Sequence, residues 1–259
     1  MPSYWGSHAS DYEDVIPAGA FMIINPNSGA IDISSSEIER YREIVDSVHD
    51  QGGLVLGYIP TGYNRDSQVE QTSWNTIEEN MEAYINIGNI DGIFWDEAGF
   101  EGNGVSDEEA CGLTEEKWSE IRRKMDRLNL EGLTSVWNAG WGGYSDDNPA
   151  CYIDAAQRGE HVVTWEDSYK SYKSNEEYLN WMSEDKARPG GVITWLLVHT
   201  ANESNMKDTL KTTRADYVYV TSVEYDPDQE WGGPVWNSVP SFWDREIQCL
   251  EHLQNGNSC

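Results

Sequence analysis

The chain has 259 residues, enough for one large domain with a full core, and carries 46 Asp plus Glu against 17 Lys plus Arg, a formal net charge of −29. Such a surface repels phosphate backbones and anionic lipid, which argues against nucleic acid or a membrane surface as a partner, and no apolar run is long enough for membrane insertion. The acids are scattered over helix faces rather than gathered in a tail, which fits either a salt-adapted source or an ordinary acidic extracellular protein.

Short apolar runs alternate with amphipathic stretches, the pattern of strand–helix units feeding a parallel sheet. The runs read as strands are 3–6, 20–25, 53–59, 91–96, 133–138, 161–166, 191–198 and 216–221. Between them, Ser36 with Glu39 forms a capping box ahead of a stripe of Ile38, Tyr41, Ile44, Val45 and Val48. Trp118, Ile121, Met125 and Leu128 make a second stripe, ended by Gly132. Ser174 with Glu177 repeats the capping device before Tyr178 and Met182, and Trp243, Ile247, Leu250 and Leu253 follow Pro240. Eight strands with seven or eight helices predict an α/β fold, a single (β/α)8 TIM-type barrel over residues 1–259. An open doubly wound sheet is the other arrangement, but no G-x-G-x-x-G or P-loop follows any strand.

Cys111, Cys151, Cys249 and Cys259 include no C-x-x-C pair and no His at zinc-site spacing. They read as two disulfides, Cys111 with Cys151 and Cys249 with Cys259, in an oxidising compartment; four buried thiols are the other reading. That compartment implies an extracellular or cell-surface protein, although Met1 and Pro2 run into the first strand without a leader pattern.

In a barrel of this type the active site lies at the C-terminal ends of the strands. Strand two there ends in Asn25, strand three in Tyr58 with Thr61, Tyr63 and Arg65 beyond it, and strand four in Asp96 and Glu97. Strand five ends in Trp137 and Asn138 with Trp141 close by, strand six in Glu166, and strand seven runs through Trp195 towards His199. Carboxylates ringed by Trp, Tyr and Asn suit glycoside hydrolysis. That reaction needs one carboxyl to protonate the leaving oxygen and another to act as nucleophile or to activate water. Asp96, Glu97 and Glu166 are therefore the catalytic candidates. Asn25, Tyr58, Tyr63, Arg65, Asn138, Trp141, Trp195 and His199 are the substrate-binding candidates. Competing readings are helix capping for Asp96 or Glu97, an ion pair for Glu166, and core packing for the tryptophans. The Asp-x-Asp-x-Asp-Gly spacing of a calcium loop is absent, so no metal and no cofactor is expected.

Three segments carry a family likeness: Ile24-Asn25-Pro26-Asn27-Ser28-Gly29, Gly57-Tyr58-Ile59-Pro60-Thr61-Gly62-Tyr63, and Gly92-Ile93-Phe94-Trp95-Asp96-Glu97. Val163-Thr164-Trp165-Glu166 is a looser fourth. In these the chain resembles the spherulin-4-like proteins of glycoside hydrolase family 135. The resemblance implies a (β/α)8 barrel that hydrolyses galactosamine-containing exopolysaccharides, with Asp96, Glu97 and Glu166 lining the groove. Residues 223–238 have no counterpart in it. The reading that results is an endo-acting enzyme on an amino-sugar polysaccharide substrate. A non-catalytic carbohydrate-binding or recognition module, and a structural surface protein, are the alternatives.

Overall fold

A computed structural model describes residues 3–4, 16–31, 33–62, 73–100, 106–140, 151–183, 191–226, 228, 235–236 and 239–259. In chain order the elements are β1 (Ser3–Tyr4), β2 (Phe21–Ile24), α1 (Ser35–Asp50), β3 (Leu54–Pro60), α2 (Trp74–Ile87), β4 (Gly92–Asp96) and α3 (Asp107–Arg127). They continue with β5 (Thr134–Asn138), α4 (Cys151–Ala155), β6 (His161–Ser168), α5 (Tyr169–Ser174) and α6 (Glu176–Ser183). The last are β7 (Ile193–His199), α7 (Glu203–Thr212), β8 (Tyr217–Val220) and α8 (Trp243–Gln254). Each strand falls within a predicted apolar run or overlaps it.

All eight strands form one sheet in sequential order, and every neighbouring pair is parallel. With that order, right-handed crossovers put each helix on the same face, so the opposite face has to bury itself. It does so by rolling. Phe21 of β2 meets Trp195 of β7 at 5.3 Å and Tyr217 of β8 at 5.1 Å between ring centroids. Two layers of core result. Alternate residues such as Ile93, Trp95, Trp137 and Val162 pack outward against the helices. Their neighbours Phe21, Leu56, Phe94, Val136, Val163 and Tyr219 fill the inside. Gly57 is needed for this packing, because a Cβ there would lie 2.7 Å from the Tyr84 ring of α2.

The helices start where side chains cap them, not always where the sequence suggests. The box at α1 is Ser34 with Glu37, two residues before the expected Ser36 and Glu39. The run Ser34-Ser35-Ser36 offers both frames. The earlier one adds hydrogen bonds for the first turn and leaves Tyr41, Ile44, Val45 and Val48 buried as expected. At α6 the cap is Asn175, whose Oδ1 accepts from the Tyr178 amide, whereas Ser174 belongs to the last turn of α5.

Cys249 and Cys259 are bridged, with Cα atoms 4.7 Å apart, which fastens the C-terminus to α8. Cys111 is also disulfide-bonded, while the side chain of its expected partner Cys151 lies outside the described residues. No helix among the described residues is long and apolar enough to cross a membrane.

Candidate functional site

The inside face of the sheet changes character at its C-terminal end, where the next layer above Phe94, Val136 and Val163 is Asp96, Asn138 and Glu166. Asp96 is the last residue of β4 and Asn138 the last of β5, so strand alternation alone turns both inward. Glu166 needs more. Its strand carries a register shift between Val163 and Trp165: Val163 pairs with Trp195, yet Trp165 pairs with the very next residue, Leu196. The extra residue is Thr164. Were the strand to run through Thr164 without the bulge, Glu166 would share the parity of Val162 and point into the helices. The buried Thr164 hydroxyl holds the bulge, donating to the Trp195 carbonyl at 2.9 Å and meeting the Tyr178 hydroxyl at 3.0 Å.

The two carboxylates are joined through Asn138. Its Nδ2 donates to Asp96 Oδ1 at 2.8 Å and to Glu166 Oε2 at 2.6 Å, while its Oδ1 accepts from the Gly140 amide at 3.1 Å, which fixes the direction of the amide. Two oxygens on one nitrogen lie no more than about 5.4 Å apart, below the roughly 6.5–9.5 Å of inverting glycosidases and compatible with the roughly 5–5.5 Å of retaining ones.

The surroundings divide the pair. Burial, then the charge of Asp96, pushes the Glu166 carboxyl up to about 7, with bonds from Asn138 and Trp236 pulling the other way. Burial raises Asp96 as well, but the Tyr58 hydroxyl, the Glu97 amide, Asn138 and the charge of Lys117 all favour its ionised form. The Tyr58 hydroxyl donates to Asp96 Oδ2 at 2.7 Å. The two carboxyls titrate as a coupled pair, and the partners that favour an ionised carboxylate are gathered on Asp96 more than on Glu166.

Lys117 of α3 is a contributor the sequence reading missed. Only 5% exposed, it donates through Nζ to the carbonyls of Gly62 and Glu97 and reaches that of Gly99 at 3.5 Å, tying the segments after β3 and β4 together. Burial draws it down to about 7, against the opposing charges of Glu97 and Asp96. Its sequence signal was a lone Lys beside Trp118 in an apolar helix stripe. Glu97 sits at φ 53°, a left-handed turn that a non-glycine residue adopts only when its surroundings hold it. Lys117 Nζ, at 2.9 Å, and Thr61 Oγ1, at 3.0 Å, both hold its carbonyl.

The remaining candidates separate. Tyr58 and Asn138 meet the carboxylates, and buried His199 ends β7 with its Nε2 3.7 Å from Asp167. Trp195 is not a wall of the groove. It is 1% exposed in the inner core with its indole N–H on His161, because β7 continues four residues past it and sets it two layers below the mouth. Buried Asn25 uses its Oδ1 to accept from the Gly29 amide, shaping the turn after β2. Tyr63, Arg65 and Trp141 lie outside the described residues. Trp236, which bonds to Glu166, gave no sequence signal, since it falls in the unmatched stretch 223–238.

The model of spherulation-specific family 4 matches residues 2–250. The chain belongs to this family. No curated protein matches it. Among solved structures, a mutant morphinone reductase in complex with tetrahydroNAD is 11% identical with a TM-score of 0.45, covering 85% of this chain and 81% of that one. Old Yellow Enzyme from Pichia sp. AKU4542 is 12% identical at 0.45, over 84% of this chain and 73% of that one. A glycoside hydrolase family 20 β-N-acetylglucosaminidase is 11% identical at 0.40, over 69% of this chain, which spans 46% of its length. At these scores the likeness says nothing of what this spherulin-4 family member does.

Proposed function

We propose that this chain is a glycoside hydrolase of the family 135 type that cleaves within a galactosamine-containing or related amino-sugar exopolysaccharide outside the cell. The sheet is read as a closed (β/α)8 barrel forming one catalytic domain, with Glu246 of α8 accepting the β8 amide of Val220 at 2.9 Å beside the seam. The observation that carries the reading is the Asn138 amide shared by two carboxylates, of which only Asp96 also accepts the Tyr58 hydroxyl. Glycosidases of the retaining type need such a pair: one carboxyl protonated near neutral pH and one ionised, about 5 Å away.

In the first step Asp96 attacks the anomeric carbon while the Glu166 proton passes to the departing oxygen. In the second, the Glu166 carboxylate takes a proton from water as its oxygen displaces Asp96, which restores both groups. Tyr58 and Asn138 hold Asp96 in place throughout, and Glu97 completes the mouth beside it.

The experiment is a reducing-end assay on purified exopolysaccharides, N-acetylated and deacetylated, in low and molar salt, with the anomer of the first product read by NMR. New reducing ends of retained configuration are expected. A protein that binds such a polymer and never cleaves it overturns the proposal in favour of a carbohydrate-binding module.

A further inference from the structure

Tyr225 is the most exposed large hydrophobic side chain among the described residues, at 52%, yet its backbone is held. Its amide donates to Thr200 Oγ1 at 3.4 Å, the Thr200 amide donates to the Val223 carbonyl at 2.9 Å, and the Ala201 amide donates to the Thr221 carbonyl at 3.0 Å. The segment after β8 is thus laced to the turn after β7. The same Thr200 hydroxyl meets His199 Nδ1 at 2.8 Å, which sets the imidazole. Tyr225 consequently lies nearly flat over His199, at 28° and 6.0 Å between centroids, and Trp236 meets the same imidazole at 76° and 5.6 Å. Trp236 in turn bonds to Glu166. Glu166, Trp236, His199 and Tyr225 make one continuous wall from the carboxyl outward.

The order of the strands gives this wall a direction. Asp96 ends β4, Asn138 ends β5, Glu166 stands in β6, His199 ends β7 and Tyr225 follows β8. The wall therefore lies on the side of Glu166 away from Asp96. In the proposed reaction the anomeric carbon must reach Asp96 and the departing oxygen must reach Glu166. The departing sugar then continues past Glu166, along the wall. A half-exposed aromatic ring backed by a fixed imidazole offers a flat apolar face already in place, so a sugar ring stacks there with little ordering of the protein.

We infer that Tyr225, seated on His199, is the floor of a leaving-group subsite that stacks the pyranose ring on the departing side of the cleaved bond. The inference rests on the glycosidase reading. It places selectivity for that sugar in Tyr225 and Trp236, which belong to the stretch without counterpart in the family segments.

The test compares two substrates: a galactosamine oligosaccharide, and the nitrophenyl glycoside in which nitrophenol replaces its departing sugar. Tyr225→Ala is expected to lower the ratio of kcat/KM for the oligosaccharide over the nitrophenyl glycoside about tenfold, largely through KM. Tyr225→Phe, which keeps the flat face, is expected to hold the wild-type ratio, and so is Trp74→Ala on α2, an exposed aromatic elsewhere. Equal loss on both substrates, or no loss on either, overturns the subsite. Wild-type protein that cleaves neither substrate overturns the glycosidase reading instead. Calorimetric titration of the oligosaccharide onto wild type and Tyr225→Ala then decides the subsite by itself, with equal affinities counting against it.

Discussion

The Thr164 hydroxyl donates to the Trp195 carbonyl across the β6–β7 pair at 2.9 Å, at the point where β6 gains one residue over its neighbour. The register shift at that point decides which way Glu166 faces, because every side chain beyond a one-residue bulge changes sides relative to a regular strand. A strand residue whose own side chain touches only buried groups thereby controls the position of the acid two residues on.

Thr164→Val is expected to remove the hydrogen bonds that Thr164 makes with the Trp195 carbonyl and the Tyr178 hydroxyl, a loss of about 1–3 kcal/mol in stability. Hydrolysis is expected to fall by more than the lost stability explains at a temperature where the variant is folded, with kcat affected before KM. Thr164→Ser keeps the hydroxyl and is expected to restore both. Melting curves beside steady-state kinetics check this; normal kcat in a destabilised Thr164→Val would reduce the bulge to a packing feature.

Activity is expected to fall on the alkaline side as Glu166, held near 7, gives up its proton, and on the acid side as Asp96 gains one. The Trp236 bond favours ionised Glu166, so Trp236→Phe is expected to move the alkaline limb of kcat/KM to higher pH. A limb that stays put or moves down would show that Glu166 is not the group being titrated.

Much of this site was legible in the sequence, and the reasons for the rest are physical. Apolar runs located all eight strands because a parallel sheet covered on both faces writes continuous apolar segments. Asp96 and Asn138 were found because strand ends and inward parity coincide there. The bulge was invisible: Val162-Val163-Thr164-Trp165-Glu166 reads as an unbroken strand, and only pairing with β7 reveals the extra residue. Trp195 was misplaced although the predicted run 191–198 already passed it: an inward Trp four residues before the end of β7 lies in the inner core, below the layer that forms the mouth. Lys117 reaches the site from a helix, and Trp236 from a stretch with no pattern at all.

Glu246 of α8 is fully buried, with Oε1 accepting from the Val220 amide and Oε2 without a partner among the described residues. Burial pushes its carboxyl from 4.5 up to about 8. Between those values the folded chain keeps a proton that the unfolded chain has released. The associated stability is whole below pH 4.5 and is lost as pH rises through about 8. Glu246→Gln is expected to remove that slope, so the difference in unfolding free energy between variant and wild type should shift in the variant's favour from pH 6 to pH 9, by about 3 kcal/mol at most, and the difference in melting temperature should follow it. Parallel curves over this range would refute the buried, protonated carboxyl.

With a formal charge of −29, the chain is expected to gain stability with salt. The screening length falls from about 10 Å at 0.1 M to about 3 Å at 1 M, which removes most repulsion between exposed acids. A melting temperature that is flat or falling across that range, measured in sodium chloride, would count against a salt-adapted protein.

Glu166→Gln and Asp96→Asn are expected to reduce hydrolysis by at least about 10²–10⁴, since an amide neither supplies the acidic proton nor serves as nucleophile. The two losses differ in kind. Gln at 166 removes the proton alone and is expected to hurt least on nitrophenyl glycosides, whose leaving group departs without help. Asn at 96 must offer its one carbonyl either to the Tyr58 hydroxyl or to Asn138, which now both donate to Asp96, and it is expected to fail on every substrate. Glu97→Gln separates the neighbouring acid from the pair. Its strained backbone carbonyl, not its side chain, anchors Lys117 and Thr61, so the amide leaves that anchorage intact. If the Glu97 carboxylate only shapes the mouth, its loss raises KM and spares kcat. A fall in kcat as deep as that of Asp96→Asn would move the nucleophile's role to Glu97, and trapping the intermediate with a slow fluorinated glycoside, followed by peptide mapping, would name the residue that carries the sugar.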